Sequence, residues 1–179
     1  MQKLKKGILL IQFGGNDKRV LENKYNHDNT KIEAAFKDSV KFYIVQAKQL
    51  NFKPILISSI ERRAFDKNGN LAKSRGEFPK WMEDLAKKNN LEFLDLNKKS
   101  FDEYNKYSED ELNSKFANCY NIWRYNDLVR NYHLSKEEAK KESRENTHFE
   151  KRGAKVVATW IKELACDGEA SEDLCRQFK

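Results

Sequence analysis

The sequence predicts an α/β fold in which helices cross between parallel strands. Three observations carry this expectation. Unbroken apolar runs of strand length recur in the first half of the chain, helical patterns separate them, and Gly and Pro are scarce. Seven Gly and two Pro among 179 residues are too few for a fold of many tight turns. A strand covered on both faces reads as a continuous apolar run, whereas a half-exposed one alternates. The length suits a single domain over residues 1–179, and 12% aromatics sets the chain apart from disordered sequences.

The first run is Ile8-Leu9-Leu10-Ile11-Gln12-Phe13. It follows the charged start Met1-Gln2-Lys3-Leu4-Lys5-Lys6, as a secretory leader would. It is too short for one, however, and it runs into Gly14-Gly15-Asn16-Asp17 rather than a small-residue cleavage site, so it reads as a strand. Thr30 followed by Glu33 matches a capping box, in which hydroxyl and carboxylate each satisfy an orphan backbone N–H. Ala34, Ala35, Phe36, Val40, Phe42, Ile44, Val45 and Ala47 then give a broad apolar helix face up to Leu50. Pro54-Ile55-Leu56-Ile57-Ser58-Ser59-Ile60 is the second strand. A helix over about residues 79–89 follows, with Trp81, Met82, Leu85 and Ala86 at helical spacing and Asn89-Asn90 as its stop. Leu91-Glu92-Phe93-Leu94-Asp95-Leu96 is the third strand. This repeated strand–helix–strand pattern implies a parallel sheet with right-handed crossovers. Residues 97–144 are polar, aromatic and irregular, with short helices expected near 100–107, 109–117 and 135–143. Val156, Val157, Trp160, Ile161 and Leu164 mark a last amphipathic helix over 149–165, and residues 166–179 read as a tail.

Composition removes several classes of partner. The net charge is +7, from 35 Lys+Arg against 28 Asp+Glu. The basic pairs Lys5-Lys6, Lys87-Lys88, Lys98-Lys99 and Lys140-Lys141 are interleaved with acids, whereas a nucleic-acid binder would concentrate its charge on one element. No nucleic-acid partner is therefore expected. No run approaches the roughly 18 apolar residues of a membrane span, so no membrane partner is expected either. Three Cys cannot build a disulfide framework. Cys166 and Cys175 could bridge in an oxidising compartment, with free thiols the expected state. The three His and three Cys show no zinc-ligand spacing, and no metal or cofactor is implied.

Open parallel sheets carry their ligand sites in loops at the carboxyl ends of strands. Three segments fall there: Gly14-Gly15-Asn16-Asp17, Glu61-Arg62-Arg63-Ala64-Phe65-Asp66 and Glu145-Asn146-Thr147-His148. Gly14 and Gly15 allow a sharp turn that leaves Asn16 projecting, and an Asn amide held there can donate to a developing oxyanion. The same four residues also suit a plain turn with an Asx cap. Glu145, three residues before His148, could hold Nδ1–H and free Nε2 to act as a general base. Alternatively, His148 merely caps the helix that follows.

Taken together and in this order, these segments resemble the SGNH (GDSL-like) hydrolases, in their rhamnogalacturonan acetylesterase-like branch. The residues that carry the resemblance are Ile11-Gln12-Phe13-Gly14-Gly15-Asn16-Asp17, Arg62-Arg63-Ala64-Phe65-Asp66, and Asn146-Thr147-His148-Phe149 with Gly153-Ala154. The resemblance spans about residues 7–164. It implies a flavodoxin-like three-layer α/β/α sandwich with a parallel sheet. It also implies hydrolysis of a small ester or of an O-acetyl group on a pectin- or rhamnogalacturonan-like polysaccharide. Asn16 would then be the oxyanion-hole amide, Gly14 and Gly15 would shape its loop, His148 would activate a serine, and Glu145 would orient the imidazole. Arg62 and Arg63 would meet uronate carboxylates, since a guanidinium pairs with carboxylate in bidentate fashion, or would pack against nearby acids instead.

Two departures qualify the resemblance. The family's nucleophile sits in a Gly-Asp-Ser segment upstream of the Gly-x-Asn-Asp loop, and no Gly-Asp-Ser occurs here; Asp38-Ser39 falls mid-helix. Glu145 stands where the family has Asp. The expectation is thus a partial domain lacking the family's N-terminal strands and inactive by itself. Its apolar edge along residues 8–13 would be left for a second copy or a complementing chain to cover. A non-catalytic carbohydrate-binding or scaffold protein on the same fold is the alternative.

Overall fold

The computed structural model describes residues 7–116, 122–143, 147–167 and 172–178. Three parallel strands form one sheet in the order β1 (Gly7–Gln12), β2 (Phe52–Ile57), β3 (Phe93–Leu94). Ile55, Leu56 and Ile57 of the central strand are buried, as its unbroken apolar run requires. Pro54 is tolerated within β2 because it lies beyond the short β3 ladder. The amide of Leu56 reaches Glu92 O and that of Ser58 reaches Leu94 O, so the N–H missing at Pro54 would face that side before pairing begins.

Helices cover both faces, as the flavodoxin-like expectation requires. On one face, α1 (Asp17–Lys24), α2 (Asn29–Gln49) and α3 (Phe78–Lys88) surround a core that includes Ile11, Leu56, Phe36, Val40, Met82 and Leu85. On the other, α4 (Leu96–Tyr104), α5 (Glu109–Phe116), α8 (Lys151–Cys166) and α9 (Glu172–Arg176) enclose Ile55, Ile57, Leu94, Tyr104, Phe116 and Trp160. Two further helices, α6 (Ile122–Arg130) and α7 (Lys136–Glu142), pack against each other. The buried residues of α2, Ile32, Phe36, Val40, Ile44 and Ala47, fall three or four apart on one stripe.

Several local expectations are corrected. The cap of α2 is Asp28, whose carboxylate accepts from Lys31 N at 3.2 Å; Thr30 lies inside the helix. Asp95 accepts from Lys98 N at 3.0 Å and starts α4, so the third strand stops at Leu94. The tail beyond residue 165 is partly helical. Leu174 of α9 is buried in the second core, which brings Cys175 to 4.9 Å from Cys166 between Cα atoms. The two form a disulfide rather than the free thiols expected.

The outer edge of β1 pairs with no strand among the described residues. Leu9 and Leu10 are 38% and 41% exposed there. Leu9 shares the face of Ile11 and α2, and Leu10, opposite Ile55, shares the other. Phe42, Tyr43 and Val45 of α2 are exposed as well, and the Tyr43 ring lies 5.0 Å from that of Phe13 at the end of β1.

Candidate active site

The site is built where β1 and β2 leave the sheet at their carboxyl ends. Gly14 adopts φ +99, a conformation open to glycine, and a side chain there would meet Phe78 Cβ at 3.1 Å and Ser59 Oγ at 3.3 Å. The loop is therefore pressed against α3 and the exit of β2. Gly14 N–H donates to Asp17 Oδ2 at 2.8 Å, so Asp17 closes the turn. Asn16 precedes α1 without a side-chain cap bond and is exposed. Its Oδ1 accepts no helix N–H, contrary to the Asx-cap alternative. Beside it lies a cleft of about 380 Å³ lined by Gln12, Gly15, Asn16, Asp17, Ser59 and Arg75 among others.

The exit of β2 is stitched to α4. Ser58 Oγ donates to Asp95 Oδ1 at 2.9 Å and accepts from Asn97 N at 2.8 Å, while Asn97 Nδ2 donates to Ser59 O at 2.9 Å. Glu61 is buried and its N–H donates to Ser100 Oγ at 2.9 Å. Its Oε1 accepts from Arg62 N at 2.9 Å, from Ser74 N at 3.0 Å and from Ser74 Oγ; Oε2 accepts from Asn97 Nδ2 at 3.4 Å. A buried carboxylate needs such donors, because burial without them carries a large desolvation penalty.

Two arginines are turned into this network. Arg75, 3% exposed, donates Nε to Ile60 O at 2.6 Å and Nη1 to Gly15 O at 3.1 Å. Burial and the neighbouring Arg62 lower its pKa, and Glu61 opposes them. Arg63, 2% exposed, donates Nη2 to His148 O at 2.9 Å and lies over the Phe149 ring at 4.8 Å. Asp66, of the same motif, accepts from the amides of Asn68 and Asn70 at 2.8 and 2.9 Å and closes a turn next to the Phe65–Leu71 bridge.

The carbonyls of Gly15, the residue before Asn16, and of His148 are thus held by Arg75 and Arg63, both in the stretch that follows β2. The His148 side chain is exposed, and the residue is not among those lining the cleft beside Asn16. Glu145 and Asn146 lie outside the described residues. Arg62 is half-buried with its amide on Glu61, and neither it nor Arg63 lines the cleft. The guanidinium at the cleft is that of Arg75, which sequence reasoning missed. An arginine between Ser74 and Gly76 in an irregular polar stretch carries no periodic signal. Among the described residues no group of His, Cys, Asp or Glu is placed to hold a metal ion.

No protein-family model matches the chain. The rhamnogalacturonan acetylesterase RhgT of Bacillus subtilis (strain 168) is 31% identical over 160 residues, which is 87% of this chain and 61% of that protein. Among solved structures, the YxiM protein of Bacillus subtilis superposes with a TM-score of 0.58 at 17% identity, covering 91% of this chain and 38% of that one. The chain therefore spans less than two thirds of the curated relative. Over most of its own length it is a homologue of a rhamnogalacturonan acetylesterase, carried on a flavodoxin-like α/β fold.

Proposed function

We propose that the chain carries the oxyanion and base half of a serine-esterase site for O-acetyl groups on a pectin- or rhamnogalacturonan-like polysaccharide. The observation that carries this reading is the Gly14-Gly15-Asn16 loop at the carboxyl end of the sheet. There Asn16 is exposed, lines a cleft and makes no side-chain cap bond to the helix behind it. The likeness to an acetylesterase supports the substrate class.

In this reading a serine hydroxyl attacks the acetyl carbonyl while His148 takes its proton. The Asn16 N–H₂ group donates to the tetrahedral oxyanion, where charge develops only in the transition state. Collapse expels the sugar alcohol, which takes its proton from His148, and water repeats the sequence to release acetate. Glu145 orients the imidazole. Arg62 is the member of the arginine pair left to meet a uronate carboxylate. No Gly-Asp-Ser occurs in these 179 residues, so the hydroxyl comes from a segment outside them. That segment is a strand and helix laid along the outer edge of β1, where both faces stand open.

The test compares acetate release from acetylated rhamnogalacturonan by the chain alone and by the chain joined to a Gly-Asp-Ser strand–helix segment of the SGNH type. The chain alone is expected to be inactive. The joined protein turns over, and loses on the order of 10²–10³ in kcat with Asn16→Ala and more than about 10⁴ with His148→Ala. Turnover by the chain alone that His148→Ala abolishes would refute the external hydroxyl. Activity indifferent to His148 would refute the esterase reading.

A further inference from the structure

We infer that Arg63 and Arg75 are positioning residues, an internal frame that sets the oxyanion loop and the base segment relative to each other. The roles of Asn16 and His148 rest on the esterase reading; the contacts do not. A guanidinium moved out of water is costly unless its donors are satisfied, and here the two buried cations each reach a backbone carbonyl of a candidate catalytic segment. Arg75 holds Gly15 O, one residue before Asn16, and Arg63 holds the carbonyl of His148 itself. The other arm of Arg75 holds Ile60 O, three residues before Arg63, so both segments are referred to the exit of β2.

Glu61 joins the two halves of the frame. It accepts from Arg62 N, the residue before Arg63, and from Ser74, the residue before Arg75. Asn97 and Ser100 tie it to α4. One carboxylate thus cross-links the two stretches that present the arginines, and its charge favours the cationic form of Arg75. A planar guanidinium fixes the direction of its N–H groups, and Lys does not reproduce that fork. Misplacement of a reacting group by about 1 Å can cost on the order of 100-fold in rate, which makes such a frame worth two buried cations.

The experiment is amide-resolved NMR on the folded chain and on Arg63→Met, Arg63→Lys, Arg75→Met and Arg75→Lys, with thermal midpoints measured in parallel. For Arg75 variants, the largest shifts are expected at residues 14–17 with little change at 147–149. For Arg63 variants the pattern reverses. In each case Lys gives a smaller displacement than Met, and the Val40 and Leu85 amides stay in place. If a Met variant does not fold, its Lys counterpart carries the comparison. Shifts spread evenly through the core, or loops that do not move in either Lys variant, would overturn the frame. In the joined protein the frame also predicts a kcat lowered at least about tenfold in Arg75→Lys, with KM within twofold. Absence of any esterase activity there would sink the functional reading and leave the amide result standing. Active enzyme with unmoved loops would do the reverse.

Discussion

Tyr104 lies fully buried, its ring 5.2 Å from that of Phe116 and 5.7 Å from that of Trp160. Burial pushes its phenol up to about 12 from an ordinary 10.0, against the pull of the Arg63 charge. The folded chain therefore favours the neutral form. Below pH 10 both folded and unfolded states are protonated and this contribution to stability is complete. Between pH 10 and about 12 the unfolded chain ionises first, and on the order of 2–3 kcal/mol is lost. Urea unfolding at pH 8 and pH 11.5 checks this: wild type should lose about 2 kcal/mol more stability than Tyr104→Phe over the interval. An equal loss in both proteins would refute it. At this scale, turn chemistry was the most legible feature. Gly14 and Gly15 announce a sharp loop because a residue's own backbone freedom decides it. Arg63 and Arg75 were opaque, since the same side chain serves a substrate or a buried carbonyl and distant neighbours choose between them.

Among the elements, α8 comes close to α5 at Gly153. A Cβ on Gly153 would run into the backbone of Phe116, 2.9 Å from its carbonyl carbon. In an unhindered helix Gly→Ala would gain about 1 kcal/mol. Here the methyl must push α5 and α8 apart, at a cost that typically runs to about 1–3 kcal/mol and more against backbone. Gly153→Ala should therefore destabilise by about 1–2 kcal/mol, lowering the thermal midpoint by several degrees; a raised midpoint would contradict the contact. Elements with a wide buried face, such as α2, α3 and α8, were readable from apolar spacing. α1 was not, because none of its residues is buried and it leaves no periodic trace. The third strand was over-read because apolar runs do not reveal where a cap such as Asp95 takes over.

For the molecule as a whole, the parallel sheet with helical crossovers followed from alternating strand and helix signals, and the three layers from the family resemblance. The Cys166–Cys175 pairing did not, because it depends on α9 folding back over α8 through Leu174. The Asn16 loop at the end of β1 was legible, but His148 does not line the cleft beside it, and the arginines that hold the two segments were hidden in tertiary contacts. The exposed apolar surface on β1 and α2 predicts self-association, since an open strand edge pairs readily with whatever strand it meets. Sedimentation velocity over a range of concentrations should show wild type forming larger species. Leu9→Lys with Leu10→Lys should stay monomeric, and a wild type that never associates would contradict the prediction.

The leucines point to opposite sides of the sheet, and this governs how the protein can be handled. A detergent, a chaperone or one added lysine masks one side and leaves its counterpart wet, so solubility should respond little to either change and sharply to both. Such non-additivity between adjacent residues would be the practical signature of an open strand edge rather than of a patch on one face.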